Sequence, residues 1–581
     1  ILYQVFLHIL FHLKLIKANP MQFKQTLSRL ALILLPFSAF SQSTFLPQGD
    51  KANILMERLE IKSRSDSFFN YSKTKPFSRR HVVNAVNHYV EQPGVKLSKV
   101  DKYNIERLQM NNLEYVPVAE HSKYLSKKKF IRKFYSTPAN LFEVHVKDFD
   151  LVVNPVIQYT VAKESNNNDN LFLNTRGVTV RGQIANKIGF FTYLTDNQER
   201  APKYVQDFIS MRKAVPGAGY YKPFKAAGGT DYFDARGYFT FNVTKYIDVT
   251  FGYDKNFIGN GHRSLLLSDF GNNSLFLKLN TRIWKFNYQN LFMELQNADD
   301  RIGDRLIGKK YAAMHHLDIN VTKWLNIGLF EGVVFGRTNR FDFGYLNPII
   351  FYRSIEQQNG SFDNSIIGID AKANLAGKLQ LYGQFSLDEF LLSEIKQNRG
   401  WWANKWGIQI GAKYIDAFGI SNLDLQVEHN RVRPFTYSHR DSVANYTHYN
   451  QPLAHPLMAN FQEFIGIARY QPSPKWTAIA KLIYYQQGRD SSSRSFGGNI
   501  FLPNVPPPRV GDFGYNIGSG WKTNVLYGSF LLSYELRENL FLDLNAIVRN
   551  QKTVTAPLTT ANTSVISFSV RWNMHRREFD F

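Results

Sequence analysis

The sequence predicts an all-β fold: a transmembrane outer-membrane β-barrel of about 16–18 antiparallel strands behind a small N-terminal α-helical domain. Three observations predict it. Segments of about ten residues alternate apolar and polar side chains with a period of two. The connections between them alternate between tight turns and long polar loops. No apolar run after residue 41 reaches the roughly 20 residues that a membrane-spanning helix needs.

The first element is a leader. From Met21, Lys24 and Arg29 form a basic start, Leu30 to Phe37 a short apolar core, and Ala39-Phe40-Ser41 a small-residue cleavage site before Gln42. The residues ahead of Met21 read as upstream translation from a misplaced start, or as a longer leader. Residues 1–41 are therefore set apart from the fold.

Residues 42–144 read as a helical domain, periplasmic because it follows the leader and precedes the first strand. Ser78 opens a helix in which Val82, Val86, Tyr89 and Val90 share one face, and Pro93-Gly94 ends it. Ser98 and Asp101 have the spacing of a capping box for a second helix through Leu113. The basic run Lys127-Lys128-Lys129 and Arg132-Lys133 is either a solvated face or a contact for lipid headgroups or glycan.

Residues 145–581 form the barrel. Phe239, Phe241 and Val243 alternate with Thr240, Asn242 and Thr244; after Lys245-Tyr246, Ile247, Val249, Phe251 and Tyr253 alternate with polar residues. The pattern returns at Trp284, Phe286 and Tyr288, at Leu540 to Val548, and at Ile566, Phe568, Val570, Trp572 and Met574. Its parity breaks at Arg576-Arg577, so Phe579 and Phe581 do not continue the Trp572 face. Tight turns are expected at 245–246, 472–474 and 537–539, and long loops near 198–235, 430–460, 487–521 and 551–562. At roughly 24 residues per strand and connection, this length holds 16–18 strands.

Composition narrows the chemistry. There is no cysteine, which excludes disulfides and thiolate metal sites. Aromatics make up 15% of the chain, which suits lipid-facing strands with aromatic girdles. The net charge is +23, and the leader carries four cations and no acid, leaving +19. An exported, alternating chain points this charge at lipopolysaccharide phosphate or an anionic glycan, not at nucleic acid.

No catalytic constellation or cofactor motif stands out, and no enzyme activity, cofactor or metal is expected. Glu428-His429 lacks metal-ligand spacing, and Ser264 near His262 has no assignable orienting acid. Gly259 and Gly261 are expected in a positive-φ turn. The segment with Arg431, Arg433, Tyr437, His439, Arg440, Tyr446 and His448 has the composition of an acidic-sugar site. Guanidinium groups hold carboxylates bidentately, and aromatic faces stack on pyranose rings. The alternative is a loop packed into the barrel mouth. Trp401, Trp402 and Trp406 beside Arg399 pose a similar choice between girdle and stacking platform.

Three segments resemble the capsule-assembly (Wzi-type) outer-membrane family. The first runs from Gly252 to Ser268; the family often has Trp-Gly-Pro-Gly there, against Ile258-Gly259-Asn260-Gly261 here. The second is Leu346-Asn347-Pro348-Ile349-Ile350-Phe351-Tyr352-Arg353 with Asn364 and Asp370. The third is Glu428 to His455. Within the family the sequence is most similar to the Bacteroidetes branch that includes the gliding-motility protein RemB. The resemblance implies a surface lectin that holds exported polysaccharide, or an accessory component of a gliding or secretion apparatus with gliding-machinery partners. A passive porin is the competing reading, and a plugged or open lumen separates it from a binding barrel.

Overall fold

The computed structural model describes residues 43–581, except 65–68, 70, 128–132, 166, 300–305, 339, 492 and 556. The expected leader and the centre of the 127–133 basic run lie outside the described residues.

Eighteen antiparallel strands close into one barrel, at the upper end of the predicted count. They are β1 Phe149–Glu164, β2 Asn170–Ile184, β3 Ile188–Arg200, β4 Gly229–Thr244, β5 Ile247–Asp254, β6 Ser274–Ile283, β7 Phe286–Gln296, β8 Lys309–Asn320 and β9 Leu325–Phe335. The wall continues through β10 Asn364–Leu375, β11 Leu379–Glu389, β12 Lys405–Tyr414, β13 Leu423–Val432, β14 Phe461–Ser473, β15 Trp476–Arg489, β16 Trp521–Arg537, β17 Leu540–Thr553 and β18 Thr559–Trp572. β18 pairs with the upper half of β1, Trp572 opposite Ile157. The short strand Phe142–Val146 pairs with its lower half, so pairing begins three residues ahead of the predicted boundary.

Tight turns at 185–187, 245–246, 284–285, 321–324, 376–378, 474–475 and 538–539, with a longer 415–422, lie at one end. The loops 201–228, 255–273, 297–308, 336–363, 390–404, 433–460 and 490–520 lie at the other. The predicted 551–562 loop is only residues 554–558, because strand pairing runs from Thr553 opposite Thr559 downward. Phe239, Phe241 and Val243 face outward and Thr240 inward, as the alternation requires. Exposed Ile369, Ile410, Phe464, Leu482, Phe530, Leu544 and Ile566 continue the apolar belt. Exposed Tyr246, Trp284, Trp324, Phe418 and Trp476 all sit at the short-turn end and form one aromatic girdle.

The helices close that same end. They are α1 Lys51–Ser63, α2 Arg79–Glu91 and α3 Lys99–Met110. Asp50 and Ser78 cap the first two, and Ser98 with Asp101 makes the full capping box that the spacing predicts. The third helix stops three residues before Leu113, which belongs to a 3₁₀ turn instead. Leu59, Val82, Val86, Tyr89, Ile105 and Leu108 meet in the core of this plug, while Val90 remains exposed. Polar contacts tie it to the turns: Arg58 reaches Asp416 at 2.8 Å, Arg107 reaches Glu538 at 2.8 Å, and Arg181 of β2 reaches Glu114 at 3.0 Å.

The lumen is filled from both directions. Thr74-Lys75, entering with the plug, pairs with Phe257-Ile258 of a loop from the opposite end. Above them the 433–460 loop forms a roof: the Tyr437 and Tyr446 hydroxyls donate to the Leu265 and Leu266 carbonyls at 2.7 and 2.6 Å. After β18 the chain turns inward. Tyr204 donates to the Phe579 carbonyl at 2.5 Å, and the Phe581 ring packs between Phe208 and Phe270. β18 ends at Trp572, so the chain leaves the wall before the parity break at Arg576-Arg577, and Met574, expected on the Trp572 face, is buried against Tyr193 and Tyr238 instead.

Candidate functional site

The seven loop residues that the sequence groups together do not share one surface. Arg431 lies on β13, two positions from exposed Val427–His429 parity and opposite in face to buried Glu428 and Asn430. It is thus on the outer wall near the long-loop end. Arg433 turns into the protein and donates to the carbonyls of Asn404 at 2.7 Å and Tyr515 at 3.0 Å. Tyr437 and Tyr446 are buried and stacked on each other at 5.6 Å. His439 is half-buried, its ring edge-on to Phe362 at 6.2 Å. Arg440 is exposed, with its guanidinium 4.8 Å from the Phe362 ring centre.

His448 is buried between backbone partners. The Gln296 N–H donates to Nδ1 at 3.0 Å, which leaves the Nε2–H to donate to the Asn273 carbonyl at 2.8 Å. This arrangement needs the neutral ring. Burial, opposed by the bond to the Asn273 carbonyl and reinforced by the nearby Lys310 ammonium, holds its pKa down at about 4. The unfolded value near 6.5 is higher, so protons bind the unfolded state first. The contribution of His448 is full above pH 6.5 and falls as pH drops from 6.5 toward 4, by about 3 kcal/mol in total. Hydrogen exchange at residues 445–455, corrected for intrinsic rate, is expected to accelerate at pH 4.5 relative to pH 7. Equal protection at both values would rule this out.

The two glycines differ. Gly259 has φ +148°, and a Cβ there would lie 2.7 Å from Gln384 Nε2. Gly261 does not adopt positive φ, contrary to the sequence reading. Close approach demands it instead: a Cβ would sit 2.6 Å from Glu428 Oε2 and 2.8 Å from Gln409 Oε1. Glu428 accepts the N–H groups of His262 at 2.6 Å and Arg263 at 3.1 Å, so it holds the loop. Ser264 Oγ donates to the Ile258 carbonyl at 2.6 Å and is packed as a turn residue.

The outer face carries arginine–aromatic pairs that join different loops. Besides Arg440 over Phe362, exposed Arg399 lies 4.1 Å from the centre of exposed Phe513. Arg399 also holds Glu394 at 2.8 Å; Arg509 covers Trp402 at 4.2 Å but is buried and paired with Asp512, and Trp406 lies on the outer wall with Ile410. Phe362 and Phe513 carried no signal in the sequence, because 78 and 114 residues of chain separate each from its arginine and only the closed barrel brings them together. A cation on an aromatic face presents the two groups that acidic-sugar recognition uses.

Beneath the roof lies a 620 Å³ chamber walled by the plug, the inward tail and the strands. Fifteen lysines and arginines line it against eight aspartates and glutamates, so its field favours an anion. Several cations there have no carboxylate within hydrogen-bonding distance among the described residues. Arg79 donates to Asn112 at 2.7 Å and the Phe45 carbonyl at 3.0 Å, and Arg469 donates to Gln426 at 2.9 Å. Burial, followed by the neighbouring Arg181, lowers Arg79 to about 10. Burial and the neighbouring Arg236 lower Lys255 to about 8.

No family model matches the sequence, and no curated protein matches it. Solved structures do. The chain is similar to Wzi of Escherichia coli, described as an outer-membrane protein involved in group 1 capsule assembly and a carbohydrate-binding β-barrel. The match has 11% identity and a TM-score of 0.56, over 92% of this chain and 100% of that one. OprD of Pseudomonas aeruginosa matches at 10% identity and a TM-score of 0.41, over 74% of this chain and 96% of that one. OccAB4 of Acinetobacter baumannii matches at 9% identity and a TM-score of 0.39, over 73% and 98%. The likeness to Wzi shows a shared outer-membrane β-barrel fold.

Proposed function

We propose that this chain is an outer-membrane barrel that binds and organises an anionic surface polysaccharide, with its plug periplasmic and its long loops outside. The observation that carries this reading is a lumen closed from both ends beneath a cationic, aromatic outer face. Open barrels of 16–18 strands leave an aqueous channel. Here the plug, the inward tail and folded loops obstruct that space and leave a 620 Å³ chamber, which counts against a passive porin. A positive exterior also suits lipopolysaccharide as a lateral neighbour. The fold-level likeness to a carbohydrate-binding barrel supports the reading, and binding without catalysis is all it requires. An accessory role in gliding or surface secretion is a second reading that rests on the RemB-like sequence motifs alone.

The test replaces Arg399 and Arg440 together by alanine. Both guanidinium groups are exposed, so barrel assembly is expected to be unchanged. Exposed ionic contacts contribute about 0–1 kcal/mol each, so losing two is expected to weaken binding by about tenfold. The readout is the ratio of cell-associated to shed polysaccharide at equal protein abundance. An unchanged ratio removes these pairs from the binding surface.

A further inference from the structure

One long loop does not stay at the barrel mouth. Residues 341–358 fold down the outer wall and cover a polar stripe on β7, β8 and β9. Asn290 pairs with His315, and His315 with Glu331, on the outward face. Glu331 in turn stands opposite exposed Ile367 of the apolar belt. It lies six residues above the start of β9, which in a strand tilted by about 40° is about 15 Å above the girdle. That is the middle of an apolar band about 25 Å tall. The loop descends still further, since Tyr288, the third residue of β7, donates to the Pro348 carbonyl at 2.7 Å.

We propose that residues 341–358 form a re-entrant flap within the hydrocarbon layer, presenting Ile349 and Phe351 to lipid acyl chains. Two independent features argue for lipid. The first is what the flap exposes: Ile349 is 84% and Phe351 55% accessible, beside a belt whose neighbouring residues already face lipid. The second is that five backbone N–H groups between residues 349 and 354 are met by protein. The Tyr352 and Arg353 N–H groups donate to the Glu331 carboxylate at 2.8 and 2.9 Å. Those of Ile349 and Ile350 donate to Asn347 Oδ1 at 3.1 and 3.3 Å, and that of Ser354 to the Phe351 carbonyl at 3.0 Å. Irregular backbone survives at membrane depth only when its polar groups are met by protein. The flap's own charge is neutralised in the same way, with Arg353 on Glu356 at 2.7 Å.

The flap also gives the stripe a cover. Tyr352 lies over His315 with ring centres 3.9 Å apart, and its ring joins Phe292, Val333, Phe335 and Tyr345 in a buried cluster outside the barrel. Polar groups on a bare lipid face are destabilising at this depth. Arg337 anchors the base of the flap through two 2.7 Å bonds to Asp363.

The chain has no cysteine, so single-cysteine spin labels report cleanly. Ile349→Cys and Phe351→Cys are to be labelled in the full protein, reconstituted in phosphatidylcholine vesicles and checked for heat-modifiable migration. Ile369→Cys marks the belt and Val510→Cys an exposed loop. Collision with oxygen is expected to dominate at both flap sites, as at Ile369. Collision with a water-soluble nickel chelate is expected to be several-fold lower than at Val510. Nickel access matching Val510 at both sites overturns the proposal.

Discussion

Lys73→Ala is expected to unlatch the plug from the lumen. Lys73 is fully buried, and its ammonium lies 2.5 Å from Asp370 and 3.5 Å from Asp318, both also buried. Asp370 also meets His316 Nε2 at 2.7 Å, whereas Asp318 has no salt-bridge partner but Lys73 among the described residues, with Arg282 a more distant cationic neighbour. Removing one partner of a buried ion cluster leaves uncompensated charge and costs about 3–5 kcal/mol. The loss falls on the seam where plug and loop meet, because the Gly259 N–H donates to the Lys73 carbonyl at 2.8 Å beside the Thr74–Ile258 pair. Faster hydrogen exchange is therefore expected at residues 72–75 and 257–259, with the strand ladder still protected. Lys73→Met keeps most of the stem volume and is expected to behave like the alanine variant. Parent-like exchange in both would show that the ion cluster does not hold the plug.

Arg263→Ala is expected to release the inward tail. The Arg263 guanidinium donates to Asp580 Oδ1 at 2.8 Å, to the Asp580 carbonyl at 2.7 Å and to Glu463 at 3.4 Å. Facing Arg263, Lys481 and His262, the Asp580 carboxyl is held well below its usual range despite burial. Without Arg263, Glu463 keeps His455 at 2.7 Å, while Asp580 keeps Lys481 and His262. Because both acids keep a partner, the tail is expected to loosen by about 1.5–3 kcal/mol, the scale of a lost hydrogen bond to a charged group, and not by the larger cost of an orphaned buried charge. The measurement is protease access after Arg576 and Arg577 in detergent-folded protein. Rapid removal of the tail with the barrel intact is the expected result; resistance equal to the parent would contradict it.

Much of the barrel was legible because each strand carries its own signal. The alternation at Phe239–Val243 and Leu540–Val548 needs no partner to be read, and the capping box at Ser98 and Asp101 is equally local. The plug's place was not legible, because it depends on pairs such as Lys73 with Asp370, almost 300 residues apart. The candidate site mixed the two cases. Arg431 could have been assigned to the wall, since Val427, His429 and Arg431 alternate with Glu428 and Asn430 without a break. Tyr437 and Tyr446 offered no such clue: a tyrosine that caps a carbonyl inside a roof has the same local sequence as one that stacks on a sugar. The flap was hidden for the same reason, its Pro348-Ile349-Ile350-Phe351 run being apolar with neither strand nor helix period.

The most direct test of a closed, anion-binding barrel is titration calorimetry of the vesicle-reconstituted protein. An oligogalacturonate is compared with a neutral maltooligosaccharide of equal length, at low and high salt. Binding of the acidic glycan alone is expected, weakening as salt screens the exposed cations. Equal affinity for the two glycans, or binding of neither at low salt, would contradict it.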